Sequence, residues 1–323
     1  MYYSFKLLPG EHLSSFIGRY HREGTQLAFH STVKALNLKN KTVRPYRFFT
    51  EDDFLLNDRF NQKGVDNPWF KHSFGNYLWP FLNRKEQCTV NERLNANESI
   101  TLKMKGERLL HGNHWRWCVE CNEEDTETYG SAYYHCKHQL PGVYHCYKHG
   151  IGLSGQCDNC GYSVKELSQQ LIPPRNNACP ECGFWMVAYD GYFSDGMKSI
   201  EEISTKLASQ CHQSGIELFT NEVQKIIGIE NLDRELLTTK RQVSAWYADL
   251  ARGLDQKALS CYFNKSEPYG DFQLPVLFRD PRLLSLNTHH QPLSPLVYLV
   301  IMNYIGLSGF TVDNSFLKNE VHG

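Results

Sequence analysis

The sequence predicts a mainly α chain interrupted in its middle by small β ribbons. An N-terminal helix-turn-helix-like region is expected over residues 1–110, tandem cysteine-rich ribbons over 111–190 and a helical region over 191–323. Three observations predict this. Apolar residues recur at three- and four-residue spacing near both ends, eight of eleven cysteines lie between Cys118 and Cys182, and positive charge gathers at the N-terminus. A chain of 323 residues holds about two domains' worth of core. Its longest apolar run, residues 296–302, is far short of the ~20 residues of a membrane span, and residues 1–9 lack a secretory pattern, so a cytoplasmic protein is expected.

In the first region Leu13, Phe16, Ile17 and Tyr20 form one apolar stripe, predicting a helix over 11–23 that stops at Gly24. A second helix follows, with Ser31 as its cap and Val33 and Leu36 packing it. Residues 1–50 carry Lys6, Arg19, Arg22, Lys34, Lys39, Lys41, Arg44 and Arg47 against Glu11 and Glu23, a balance of +6 inside a chain of net charge -1. The near-neutral total excludes a protein that coats nucleic acid with its whole surface and leaves a local contact. Arg19, Arg22, Lys34, Lys39, Lys41, Arg44 and Arg47 are the candidate nucleic-acid contacts, to phosphates rather than bases; the plainer reading is a solvated helix face. Tyr46, Phe48, Phe49 and Phe54 read as core anchors, and residues 51–117 as helix and loop.

Seven cysteines and one histidine form four close pairs: Cys118-Val-Glu-Cys121, Cys146-Tyr-Lys-His149, Cys157-Asp-Asn-Cys160 and Cys179-Pro-Glu-Cys182. Two intervening residues let a tight turn aim both side chains at one ion, and zinc takes four such ligands in a tetrahedron. Sequential pairing gives one site of Cys118, Cys121, Cys146 and His149 and another of Cys157, Cys160, Cys179 and Cys182, hence two structural zinc ions. Gly150, Gly161 and Gly183 follow three of the pairs, where positive φ is useful. Buried thiols or a redox pair would have to account for all four pairs at once. A zinc deaminase does not fit, because the only His-x-Glu triplet, His21-Arg22-Glu23, lies far upstream and Ala178 stands before Cys179. His135, Cys136, His138 and His145 are read as packing or surface residues, and strand material is expected at residues 115–117 and 133–134. Gly150-Ile-Gly152-Leu-Ser-Gly155 matches a dinucleotide fingerprint in the wrong context, and no P-loop sequence occurs.

Helical spacing returns with Ile200, Ile203, Leu207 and Cys211 behind an Asp195 cap, and with Val243, Trp246, Tyr247 and Leu250 behind a Thr239–Gln242 capping box. A last helix is capped by Ser294, opened by Pro295 and ended by Gly306.

Three segments resemble the TniQ/TnsD family, the target-selection proteins of bacterial transposons that carry an AAA+ regulator. They are Leu8-Pro9-Gly10-Glu11-His12-Leu13 with Ser14, Ser15 and Arg19; Lys71-His72-Ser73-Phe74 with residues 77–82; and Trp117-Cys118-Val119-Glu120-Cys121 with Tyr129-Gly130, Tyr133-Tyr134, residues 138–143 and Cys146-Tyr147-Lys148-His149-Gly150. Val119 and Tyr147 stand where the family often has proline; neither is a ligand. The resemblance implies a non-catalytic adaptor in DNA transposition. It would link target DNA, or an RNA-guided CRISPR effector complex, to an AAA+ ATPase and through it to the transposase. It leaves open homodimerisation, and whether the chain is a short TniQ or a truncated TnsD. The rival readings are a zinc nuclease or hydrolase using Glu120, Glu123 and Asp125, a DNA-binding transcription factor, and a zinc-stabilised scaffold with protein partners only.

Overall fold

The computed structural model describes residues 6–24, 26–36, 45, 68–96, 109, 114–210, 215–229, 237–264, 266–284 and 293–307. Near its N-terminus, α1 (Leu13–Glu23) starts behind His12, whose Nδ1 accepts from the Ser14 amide at 3.1 Å, and ends at Gly24. Leu13, Phe16 and Ile17 are buried as their spacing predicts, but Ser14, Ser15 and Gly18 are buried too. The small residues explain this. A Cβ at Gly18 would lie 2.3 Å from the Leu171 carbonyl oxygen, so the helix is enclosed by the cysteine-rich region instead of presenting an open basic face. The second helix, α2 (Phe29–Ala35), begins two residues before the expected cap. Ser31 is inside it, and Phe29 packs edge-on against His21 at 5.5 Å.

Two helical turns, Pro68–Lys71 and Gly75–Leu78, lead to α3 (Arg84–Asn95), which Asn83 and Glu86 open with a reciprocal capping box. Where aromatic strands are expected, residues 115–117 make one isolated bridge, Trp117 with Ser154, and residues 133–134 make none, the nearest being Glu11 with His135. The aromatic residues pack as a cluster instead: Trp115 lies tilted against Tyr134 at 4.8 Å and Trp117 meets the same ring edge-on at 6.3 Å. From within the first close pair runs a helix, α4 (Val119–Tyr129), closed by Gly130 at φ 76°.

The C-terminal region is helical as expected, with corrected starts. In α5 (Asp195–Leu207) the cap is Ser194, whose Oγ accepts from the Met197 amide, and Asp195 is the first helical residue. After α6 (Ile216–Ile227) comes α7 (Leu237–Gly253), which holds Thr239 in its third position, so Thr239 is no cap. Beyond α8 (Gln256–Tyr262), a hairpin of β1 (Ser266–Tyr269) and β2 (Phe272–Pro275) turns on Gly270 and Asp271. The Gly-Asp turn is a hairpin signal that Pro268 and Pro275 obscure. Cys211 lies outside the described residues, as do Tyr46, Phe48, Phe49 and Phe54.

The last helix, α9 (Pro295–Tyr304), begins where its sequence says, although the Ser294 side chain makes no capping bond. Its first eight residues are all buried, and it packs on α5. Phe81 stacks on Tyr298 at 5.1 Å, Phe219 meets the same ring edge-on, and Gly142 allows the cysteine-rich region to approach Leu296. At roughly 1.5–3 kcal/mol for each large apolar side chain buried, α9 is a strong hydrophobic anchor. The core cluster takes in residues of all three segments. No helix among the described residues is long and apolar enough to cross a membrane.

Candidate metal centres

The four close pairs come together as the two groups that their spacing suggests. In the first, Cys118 is the residue before α4 and Cys121 lies on its opening turn. Cys146 and His149 sit on a turn closed by the Gly150 amide on the Cys146 carbonyl, with the Cys146 amide on the carbonyl of Ile151, each at 2.8 Å. His149 Nδ1 lies 3.3 Å from Cys118 Sγ and 3.4 Å from Cys121 Sγ, and the sulfurs of Cys121 and Cys146 are 3.6 Å apart. A tetrahedron with arms of about 2.3 Å has edges of about 3.8 Å, so the spacing fits a bound zinc-sized ion.

Glu124, one turn after Cys121, accepts from His149 Nε2 at 3.1 Å and pairs with Lys148. These bonds, that from Lys148 first, hold its carboxyl below the usual range. A carboxylate on the outer nitrogen fixes the tautomer that turns the other toward a metal. Contacts with Cys118 and Cys121 hold the Cys146 thiol far down, while those with Cys118 and Cys146 drive Cys121 far up. Three sulfurs crowded so closely cannot all ionise until a cation balances them.

In the second centre the turn of residues 146–151 is repeated twice. Gly161 and Gly183 donate to the carbonyls of Cys157 and Cys179, and the amides of those cysteines bond to Tyr162 and Phe184. All three turns need a left-handed glycine, with φ of 70°, 72° and 72°. Cys157 and Cys182 are 3.7 Å apart and Cys160 and Cys179 3.6 Å. Cys157 and Cys179 are buried, Cys160 and Cys182 exposed, and Asn159 Nδ2, 3.5 Å from Cys182 Sγ, helps bring that thiol down to about 6.

Three of the four neighbouring candidates are engaged elsewhere. His135 Nε2 meets Asp125 at 2.7 Å, Cys136 donates to the Ser73 carbonyl, and His145 contacts Glu201. His138 differs: it is wholly buried beside Cys146, and neither of its ring nitrogens has a hydrogen-bond partner among the described residues. The glycine fingerprint is structural: Gly150 closes a turn, and a Cβ on Gly152 would strike the Tyr189 carbonyl oxygen at 2.1 Å. Among the cations, Arg19 is corrected. It is buried, with Nε and Nη2 each 2.7 Å from Glu11, so its charge is spent inside the protein. Arg22 and Lys34 are exposed, whereas Lys39, Lys41, Arg44 and Arg47 lie outside the described residues. Glu124 is the residue that sequence reasoning missed. Its signal was its place three residues after Cys121, which on a helix is the same face.

The family model described as TniQ matches residues 3–153, taking in α1, α2 and the first centre and ending before Cys157. No curated protein matches the chain.

Proposed function

Because residues 3–153 match the TniQ family model, we propose that this chain is a TniQ-type, non-catalytic target-selection adaptor of DNA transposition. The family match carries this reading. In it the chain engages target DNA, an RNA-guided effector complex or both, and recruits an AAA+ ATPase that brings the transposase. Its physical effect is tethering: once the target is held, the ATPase meets a high effective concentration at one place. Two zinc ions would sit on Cys118, Cys121, Cys146 and His149 and on Cys157, Cys160, Cys179 and Cys182. Each supplies a cross-link that holds distant segments. Either set offers four protein ligands, which suits a structural ion better than hydrolysis, where one position stays open to substrate. Arg22 and Lys34, with the cations of residues 39–47, are the proposed phosphate contacts.

The test is co-purification with an AAA+ ATPase encoded beside the chain, with and without duplex DNA. Retention of the ATPase, strengthened by target, is expected. Tight, salt-dependent duplex binding with no ATPase retained under any condition would instead favour a transcription factor.

A further inference from the structure

The ring of His138 stands beside the first centre without a polar task in the fold. It is wholly buried, and both its nitrogens lack a hydrogen-bond partner among the described residues. An imidazole N–H left unpaired in the interior is costly, and a phenyl ring would fill the same space without that cost. The ring is nevertheless held. It lies in the single turn Lys137–Gln139, packed against His135 at 4.9 Å and Tyr147 at 5.7 Å between ring centres. The next side chain, Gln139, accepts from the Arg116 amide at 3.0 Å and donates to the Arg116 carbonyl at 2.7 Å. These bonds tie the turn to the segment that enters the centre at Cys118.

The acceptor beside it is the sulfur of Cys146, which also receives the amides of Lys148 at 3.4 Å and His149 at 3.5 Å. A thiol is a weak acceptor, whereas a metal-bound thiolate is charged and takes hydrogen bonds strongly. Three thiolates outweigh the charge of one divalent ion, and in a buried setting the excess has to be met by donors. An imidazole carries at least one N–H in either charge state, so His138 can donate without titrating. The second centre has the same kind of contact, with Asn159 Nδ2 3.5 Å from Cys182 Sγ. We propose that His138 is a positioning residue of the first centre: once metal binds, one ring N–H donates to the Cys146 thiolate and fixes that ligand from outside, as Glu124 fixes His149. This rests on metal at the first centre and not on the transposition reading.

The full chain, with isotopically labelled histidine, is loaded with a spin-active cadmium isotope and read by nuclear magnetic resonance. The His149 ring should couple to cadmium directly through its nitrogen, and the His138 N–H proton should couple across the Cys146 sulfur. Coupling at His149 alone overturns the proposal. Direct nitrogen coupling at both rings overturns it in favour of His138 as a ligand, and coupling at neither removes the first metal centre and the proposal with it. This measurement needs no variant to fold. His138→Phe keeps the ring and removes the N–H. With cobalt(II) bound, its sulfur-to-metal band should move to lower energy, and metal affinity at the first centre should fall about tenfold in competition with a chelator. Of His138→Asn and His138→Gln, the one whose amide reaches the sulfur should return the band. An unmoved band in His138→Phe, or a moved one that neither amide returns, makes the ring a packing element and overturns the proposal.

Discussion

The two candidate metal centres offer the same tetrahedral ligand chemistry on different supports. The first is set between a helix and a turn, has an outer carboxylate, and begins at Cys118, directly after the fully buried Trp117. The second is two copies of one turn facing each other, with half its sulfurs exposed. A ligand set that draws one member from a packed helix is tied to the whole core. A set made of repeated turns is nearly self-contained. The contrast also follows the TniQ match, which includes the first centre and stops before the second.

The largest expected effect separates Cys118→Ser from Cys157→Ser. Structural zinc contributes about 10–16 kcal/mol of apparent binding energy in small peptides, as much as the whole stability of about 5–15 kcal/mol of a typical domain. Cys118→Ser should lose one metal equivalent and most of the helical circular dichroism, whereas Cys157→Ser should lose one equivalent and keep the helices. Equal helix loss in both would erase the contrast. Next comes Gly152→Ala, in the segment joining the centres. Its Cβ would meet the backbone of Tyr189, which cannot swing away, so denaturant titration should show a loss of about 3 kcal/mol.

Glu124→Gln should weaken metal at the first centre about 10- to 100-fold in competition with a chelator, leaving the second unchanged; a uniform shift would deny Glu124 its role. The smallest effect concerns His114, which packs where Gly155 leaves space between the centres. Burial, with Arg116 and Lys165, lowers it from 6.5 to about 4. A histidine held down in the folded state is neutral there, so its contribution is present above pH 6.5 and is lost as pH falls towards 4. His114→Gln should therefore lose on the order of 1 kcal/mol less than the parent between pH 6.5 and about 5, read from urea midpoints. Parallel pH profiles would remove His114 from the acid response.

Much of the candidate site was legible because its determinants are local. Two residues between ligands and a left-handed glycine after them define the turns at residues 146, 157 and 179 before any packing occurs. The α1 stripe and the Pro295 start of α9 were legible for the same reason. Helix starts were less so: Ser194 and Asp195 both suit a cap, and only the bond to the Met197 amide decides between them.

The amino-acid sequence by itself determined which eight cysteine and histidine side chains gather, their grouping in two sets of four, and the match of residues 3–153 to the TniQ family model. Tertiary structure alone decided where charge and polar groups are spent. Arg19 reads as a surface cation until Glu11 closes on it, Gly18 as a helix weakness until Leu171 lies against it, and Asn122 and Asn177 as equals until Trp117 engages only one. The physical reason is range. Ligand spacing and glycine φ act over a few residues, whereas burial and pairing depend on segments that folding brings together from far along the chain.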